Sequence, residues 1–329
     1  MNWAQKKVLV TGAEGFIGSH LAERLVALGA DVKALVMYNS FNTWGWIDTF
    51  RPGEKNKLHI ICADIREADL LKSTLKDIDI VFHLAALIAI PYSYVSPSSY
   101  IKTNIEGTLN LLQAARDHGV EKFLHTSTSE VYGTALYTPI DEKHPLQGQS
   151  PYSASKIGAD MIAESFHRSF DLPVTTVRPF NTYGPRQSMR AIIPTLIVEM
   201  LSNDKIQLGS LHPIRDFTYV SDTVEGFLKT AETDDINGEI INIGSAQGIS
   251  IGKLAEKLMK MMNKKITIES EEKRVRPPQS EVNQLICNNN KAKALIDWQP
   301  KMSLDEGLEK TINWFKANAG EYKSEIYNI

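Results

Sequence analysis

Thr11-Gly12-Ala13-Glu14-Gly15-Phe16-Ile17-Gly18 follows the short apolar run Lys7–Val10 and opens a segment whose apolar residues, Phe16, Ile17, Leu21, Leu25 and Leu28, recur at helical spacing. Gly29 is placed to stop that helix. A strand, a glycine turn and a helix in this order form a phosphate cradle. One glycine permits the tight turn, one lets the backbone approach a pyrophosphate, and one lets helix and strand pack closely. Free N–H groups and the positive end of the helix dipole then face the phosphates. A dinucleotide-binding site at Gly12, Gly15, Phe16, Ile17 and Gly18 is the expectation.

Outward from this turn the chain alternates. Strands are expected at Val32–Met37, Lys57–Ala63, Asp79–Ala85, Lys122–Ser127 and Val174–Arg178, with helices over Ala68–Leu75, Asn104–His118 (stopped by Gly119) and Tyr152–Phe170. Short buried strands separated by helices imply an α/β fold, a Rossmann-like doubly wound parallel sheet. After Pro179 the rhythm changes. Prolines punctuate shorter elements, with amphipathic helices at Ile251–Met262 and Leu304–Ala317, and Glu271-Glu272-Lys273-Arg274 reads as a solvated loop. The expected division is a nucleotide-binding domain of residues 1–180 plus about 216–245, and a smaller mixed α/β substrate domain of 181–215 plus about 246–329.

Composition excludes several classes. The 329 residues carry 36 Lys+Arg against 39 Asp+Glu, a net charge of −3, which argues against a nucleic-acid partner. The longest apolar run, Leu84–Ile90, falls far short of the ~18 residues of a membrane span, and the N-terminus has no secretory pattern. Cys62 and Cys287 lie too far apart for zinc spacing or a disulfide framework, and read as two buried thiols in a cytoplasmic protein; no metal site is expected.

The spacing G-x-x-G-x-x-G resembles the short-chain dehydrogenase/reductase superfamily, and T-G-x-x-G-F-I-G its extended branch, rich in nucleotide-sugar enzymes. Three further stretches agree: Asp64-Ile65-Arg66, where the family places the adenine; His83-Leu84-Ala85-Ala86, beside the cofactor; and Tyr152-x-x-x-Lys156. An acid at the end of the second strand would favour NAD. Here that place reads Met37-Tyr38-Asn39-Ser40, with neither acid nor Arg, and the loop from Asn39 to Thr43 resembles that of NADP-using GDP-mannose 4,6-dehydratases. The reading leans to NADP over NAD, tightly bound and recycled, with Asn39 and Ser40 at the cofactor. Trp44 and Trp46 stand beside this loop, placed to cap the adenosine, to meet a neighbouring subunit or simply to pack.

Tyr152 and Lys156 are four apart on one helix, so they share a face. A nearby ammonium lowers the pKa of a phenol and lets it act as a base. The resemblance adds that Lys156 holds the nicotinamide ribose and that Thr128 hydrogen-bonds the hydroxyl being oxidised. Glu130, two residues on, resembles the base of 4,6-dehydratases: once C4 is a ketone the C5 proton is acidic, and a carboxylate within reach takes it. Many dTDP-glucose 4,6-dehydratases carry Asp just before this Glu as the acid. Here it is Ser129, as in GDP-mannose dehydratases, so either Glu130 or a water relayed by Ser129 protonates the leaving hydroxyl. The implied cycle moves hydride from C4 to the cofactor and back to C6, leaving a 4-keto-6-deoxy sugar nucleotide.

For the substrate, Asn181 in Arg178-Pro179-Phe180-Asn181-Thr182-Tyr183-Gly184-Pro185, Arg215 in the segment Ile214–Asp222, and Arg276 with Glu281 match family positions that approach hexose, diphosphate and ribose. Arginine suits diphosphate through paired hydrogen bonds. Asp222 is expected to tie the domains together. The stretch Val36–Ile47 resembles bacterial enzymes acting on N-acetylglucosamine nucleotides on the way to nonulosonic acids such as legionaminic and pseudaminic acid. The expected reaction is 4,6-dehydration of UDP- or GDP-N-acetylglucosamine. Alternatives are a 5,6-ene-forming dehydratase, a UDP-sugar 4-epimerase, a UDP-glucuronate decarboxylase, or a non-catalytic sensor. By resemblance the chain forms a homodimer through a four-helix bundle of the helices beginning near Tyr100 and Tyr152, with Ile157, Met161, Ile162 and Phe166 as apolar surface.

Overall fold

The computed structural model describes residues 1–271 and 274–322. Seven strands form the central sheet: β1 (Lys7–Thr11), β2 (Asp31–Val36), β3 (Leu58–Cys62), β4 (Ile80–His83), β5 (Lys122–Thr126), β6 (Val174–Pro179) and, from much later in the chain, β10 (Ile240–Ile243). Their order is β10-β6-β5-β4-β1-β2-β3, all parallel. The chain leaves β1 toward β2 and β3, then returns to the other side of β1 at β4. This is the topological switch point at which open α/β sheets bind ligands, beyond the C-terminal strand ends. The sheet is covered on both faces. Val8 and Val10 point into one core and Leu9 into another, all fully buried, which is why β1 is a continuous apolar run.

The remaining strands are β7 (Asn181–Tyr183), β8 (Lys205–Leu208), β9 (Ile214–Tyr219), β11 (Gly248–Ser250) and β12 (Thr267–Ser270). They form a mixed three-stranded sheet, β11-β9-β7, and a parallel pair, β12-β8. Asp222 accepts the backbone N–H groups of Lys301 (3.0 Å) and Met302 (2.8 Å), and Trp298 Nε1 donates to the Asp222 carbonyl. It therefore ties the helix Val220–Glu232 to the segment leading into the helix Leu304–Asn318.

Several expectations shift. The helix expected from Asn104 is a π-helical turn over Ile101–Glu106 followed by an α-helix over Gly107–His118. Asn104 sits within that turn. Its side chain bridges Leu87 N and O and Ser155, while its carbonyl accepts from Thr108 Oγ1 at 2.6 Å. Strand β4 stops at His83 because the N–H groups of Leu84 and Ala85 turn to Thr11 Oγ1. Cys62 is exposed at the edge strand β3, not buried; Cys287 is buried. Of the Glu271–Arg274 loop, Glu272 and Lys273 lie outside the described residues. Arg274 is not a solvated cation: its guanidinium, 15% exposed, pairs with Glu199 and Glu271. Of the four apolar residues expected at the surface of the helix Pro151–Phe170, Phe166 is buried in the core, Ile157 and Ile162 pack partly against core clusters, and Met161 alone is strongly exposed. Among the described residues no helix is long and apolar enough to cross a membrane.

Candidate active site

The glycine turn has the shape a pyrophosphate needs. Gly12 sits at φ +68°, and a Cβ there would come 2.9 Å from Ala85 N. A Cβ on Gly18 would lie 2.1 Å from the Gly12 carbonyl, so helix and turn pack backbone to backbone. Gly15 differs: a Cβ there meets only Gly12 O, at 3.3 Å, and its outer side is open. The N–H groups of Phe16, Ile17 and Gly18, in the first turn of the helix Phe16–Ala27, have no acceptor within the helix. Thr11 Oγ1 fixes the adjacent loop by accepting from Leu84 N (3.1 Å) and Ala85 N (3.0 Å), and it also bonds His83 Nδ1. His83 is buried, and burial drives its pKa far below the ordinary value, so it is a neutral structural partner. These backbone features fit a dinucleotide.

At the ends of β2 and β3 the picture is more mixed. Asn39 is half-buried and its side chain is committed to its own loop, donating to Met37 O and Thr43 O and accepting from Phe41 N and Thr43 N. Ser40 is exposed. Asp64 is bound to Arg66, whose hydrogen bond holds the carboxyl below its ordinary value, while Ile65 is buried against Gly107 and Ala86 is partly buried. Trp46 packs on Trp314 (5.5 Å between ring centres) and Tyr322, and Trp44 lies under the Lys55 ammonium. The packing reading is thus the one Trp46 satisfies.

Thr128, Ser129 and Glu130 follow β5. Thr128 caps the short turn Ser129–Tyr132, its Oγ1 accepting from Glu130 N at 3.2 Å. Ser129 is buried. Pro151 and the reciprocal pair Ser150/Ser153 start the next helix, which carries Tyr152 and Lys156 inward. Both are buried. Lys156 Nζ donates to Thr126 O at 2.6 Å. Burial pulls its pKa down to about 8, opposed by Asp160 one turn along. Tyr152 departs from expectation. Burial pushes its phenol well above 10.0, Glu130 adds to the rise, and a hydrogen bond with Thr128 opposes it. Lys156 is aimed at a backbone carbonyl, so in this arrangement desolvation outweighs it.

Asp160, Ser127, His125 and Arg178 form a buried polar base beneath this pair. Asp160 accepts from His125 Nε2 (3.0 Å), Ser127 Oγ (2.7 Å) and Arg178 Nη2 (2.8 Å); Arg178 Nη1 reaches Tyr132 OH, which donates to Asn242. Burial works to raise the Asp160 carboxyl, but His125 and Arg178 hold it at about 2. Asp160 and Asn104 are site-forming residues that pattern reading missed. Asp160 lies at i+4 from Lys156, a signal that was available; the π-turn that presents Asn104 leaves no such mark.

On the substrate side, Glu130 is largely buried (14% exposed) and its Oε2 lies 3.9 Å from Arg276 Nη1. Arg276 Nη1 is also 3.8 Å from Glu281, which is 3.6 Å from Arg215 Nη2. Arg215 is buried, and burial together with the neighbouring Arg276 lowers its pKa. Arg276 Nη1 and Asn181 Oδ1 are buried without hydrogen-bond partners among the described residues. Thr128, Tyr152, Glu130, Arg276, Glu281 and Arg215 therefore form one connected site. Asn181 stands on β7 with no ion pair or side-chain bond to that chain, and Asn39, Ser40 and Asp64 lie at the far strand ends.

Chemically, the site brings together a hydroxyl, a phenol and an ammonium (Thr128, Tyr152, Lys156), a carboxylate beside them, and two guanidiniums of the kind that pair with a diphosphate. The family model described as GDP-mannose 4,6 dehydratase matches residues 9–311. The chain is 33% identical to mouse (Mus musculus) dTDP-D-glucose 4,6-dehydratase over 325 residues, covering 97% of this chain and 91% of that protein. It is 32% identical to a putative UDP-glucose 4-epimerase of Methanocaldococcus jannaschii, covering 94% and 99%. It superposes on the crystal structure of DesIV, a dTDP-glucose 4,6-dehydratase from Streptomyces venezuelae with NAD bound, with a TM-score of 0.85 at 29% identity, covering 96% of this chain and 99% of that one.

Proposed function

Since the chain belongs to the GDP-mannose 4,6-dehydratase family of extended short-chain dehydrogenases/reductases, a family of nucleotide-sugar dehydratases, epimerases and decarboxylases, we propose that it is a nucleotide-sugar 4,6-dehydratase, with an N-acetylglucosamine nucleotide as substrate. The observation that carries this reading is the position of Glu130. It is withdrawn from solvent, electrostatically coupled to Tyr152 and 3.9 Å from Arg276. An epimerase has no use for a carboxylate there, because it only removes and returns one hydride.

The glycine turn and residues 64–65 and 84–86 would hold a nicotinamide dinucleotide, whose ring, when bound, takes up and gives back a hydride. Tyr152, beside Thr128, receives the proton of the C4 hydroxyl as its phenolate, a form that burial disfavours and a neighbouring ammonium favours. Lys156 supplies the positive charge that this transfer requires, held charged by Asp160. Glu130 removes the C5 proton made acidic by the C4 carbonyl, and Glu130 or a water held by Ser129 protonates the C6 hydroxyl as it leaves. Arg215 and Arg276 bind the diphosphate, Glu281 the ribose and Asn181 the hexose. We retain the two-part division, with the substrate held between the seven-stranded sheet and the later segments, and a homodimer through the helices that begin near Tyr100 and Tyr152. Ile101, Leu109 and Met161, exposed on those helices, support that pairing.

Incubation with UDP-N-acetylglucosamine, GDP-mannose and UDP-glucuronate, followed by mass measurement of the product, tests the reading. Loss of water supports it. Unchanged mass points to epimerisation and loss of carbon dioxide to decarboxylation. Solvent deuterium at C5 together with the position of the returned hydride separates a 4-keto product from a 5,6-ene.

A further inference from the structure

In dinucleotide folds a carboxylate at the end of the second strand reads the adenosine ribose and disfavours a 2′-phosphate. Residues 37–40 supply none, yet the structure brings an acid to that place from elsewhere. Glu14, within the glycine turn, directs Oε1 to the backbone N–H of Met37, the residue that follows β2, at 3.0 Å. Its second oxygen, Oε2, is buried and has no hydrogen-bond partner. The loop beyond β2 closes over the same residue: Trp46 N donates to Glu14 O at 3.1 Å, and a Cβ on Gly45 would come 2.7 Å from that oxygen. Burial raises the Glu14 carboxyl and the Met37 and Glu14 N–H groups lower it; no cation is among these influences. Of the nearby cations, Lys55 is engaged with Asp48 and Arg66 with Asp64, and the Asn39 amide is committed to its own loop.

Resting on the dinucleotide reading of the glycine turn, we infer that Glu14 takes the place of the missing strand-end acid: its free Oε2 accepts the adenosine ribose 2′-hydroxyl, and the chain selects NAD over NADP. A 2′-phosphate would set its negative charge against a buried carboxylate with no compensating cation, which is costly in a site of low dielectric. The lean toward NADP drawn from residues 37–43 is thereby reversed. Residues 37–43 lie beyond the strand, whereas the acid is contributed by the turn before it.

Calorimetric titration of the cofactor-stripped full chain with NAD, NADP and 2′-deoxy-NAD tests this. The wild type should bind NAD ~10-fold or more tightly than either NADP or the deoxy analogue, the loss expected for a hydrogen bond to a charged group. Glu14→Gln keeps an acceptor for Met37 N–H and removes the charge, so its NAD-to-NADP ratio should narrow to within about threefold. Equal wild-type affinities for NAD and NADP, or for NAD and the deoxy analogue, would overturn the inference whether or not the variant folds. So would a Glu14→Gln ratio equal to that of the wild type. Folded wild type that binds neither dinucleotide would take down the underlying reading, and the inference with it.

Discussion

Glu130 Oε2 lies 3.9 Å from Arg276 Nη1, close enough for attraction and too far for a hydrogen bond, and that guanidinium nitrogen is buried without a hydrogen-bond partner. The carboxylate is held in place yet keeps its lone pairs. Replacing Glu130 with Gln preserves shape and removes the base. The expected outcome is a fall in water loss of ~10²–10⁴-fold, with C4 oxidation still visible as transient nicotinamide absorbance. A variant that still releases water at the wild-type rate would leave elimination without this residue.

Arg276 and Arg215 should act on binding rather than on chemistry. Each offers a charge-assisted contact to a diphosphate, so Arg276→Ala should raise KM for the nucleotide sugar ~10–100-fold. Arg276→Lys should recover only part, because an ammonium lacks the paired donor geometry. Steady-state kinetics separates the cases: a loss confined to kcat would instead make Arg276 part of the proton-transfer machinery.

Much of this arrangement is readable from residues alone. The glycine turn, Tyr152 and Lys156 are dictated by local geometry, and six of the seven strands of the central sheet follow from apolar periodicity; the seventh, β10, comes from residues beyond 239 and was not among the expected strands. What stays hidden depends on side chains choosing partners across the fold. Thr11 ending β4 early, Asn104 reaching Leu87 from a π-turn, and Glu14 reaching Met37 each involve one polar group serving a distant backbone atom. Periodicity records which face is buried, not which buried hydrogen bond is made. The rise at Tyr152 has a related cause: spacing places Lys156 on the same face, but the Thr126 carbonyl decides where its ammonium points.

Gly18 tests the backbone packing beneath the turn. Its missing Cβ would stand 2.1 Å from the Gly12 carbonyl, a backbone atom that cannot swing aside. Gly18→Ala should destabilise the fold by about 1–3 kcal/mol and weaken dinucleotide binding, read by thermal melts and titration. Gly53→Ala, in the helix Pro52–Lys55 where nothing lies within 4 Å, is the control: it should leave dinucleotide binding unchanged and the melting point equal or slightly higher.

Asp160 should matter for stability and for the charge of Lys156. Its pKa lies at about 2 against an ordinary 3.8, so its contribution is complete above 3.8 and is lost as pH falls toward 2. Asp160→Asn leaves Arg178 buried without its counter-charge, at a cost of about 3–5 kcal/mol. It also removes the charge that supports the Lys156 ammonium, so the alkaline limb of the rate profile should move to lower pH. An unmoved limb in a folded variant would show that Lys156 does not set it.

Lys156 gives the opposite sign. Burial depresses its pKa from 10.5 to about 8, so below pH 8 the folded state bears the full cost of a buried ammonium. That cost is on the order of 3 kcal/mol, and it fades as pH rises from 8 to 10.5, where the unfolded chain also loses its proton. Lys156→Met removes the ammonium but leaves Thr126 O without its donor, which offsets about 1 kcal/mol of the gain. At pH 7 the variant should therefore melt a few degrees higher than the wild type while losing dehydration, and its advantage should shrink steadily between pH 8 and 10.5. Melting curves across that range decide the matter: a variant less stable at pH 7, or an advantage independent of pH, would mean that the ammonium is not held in the folded state at the expense of stability.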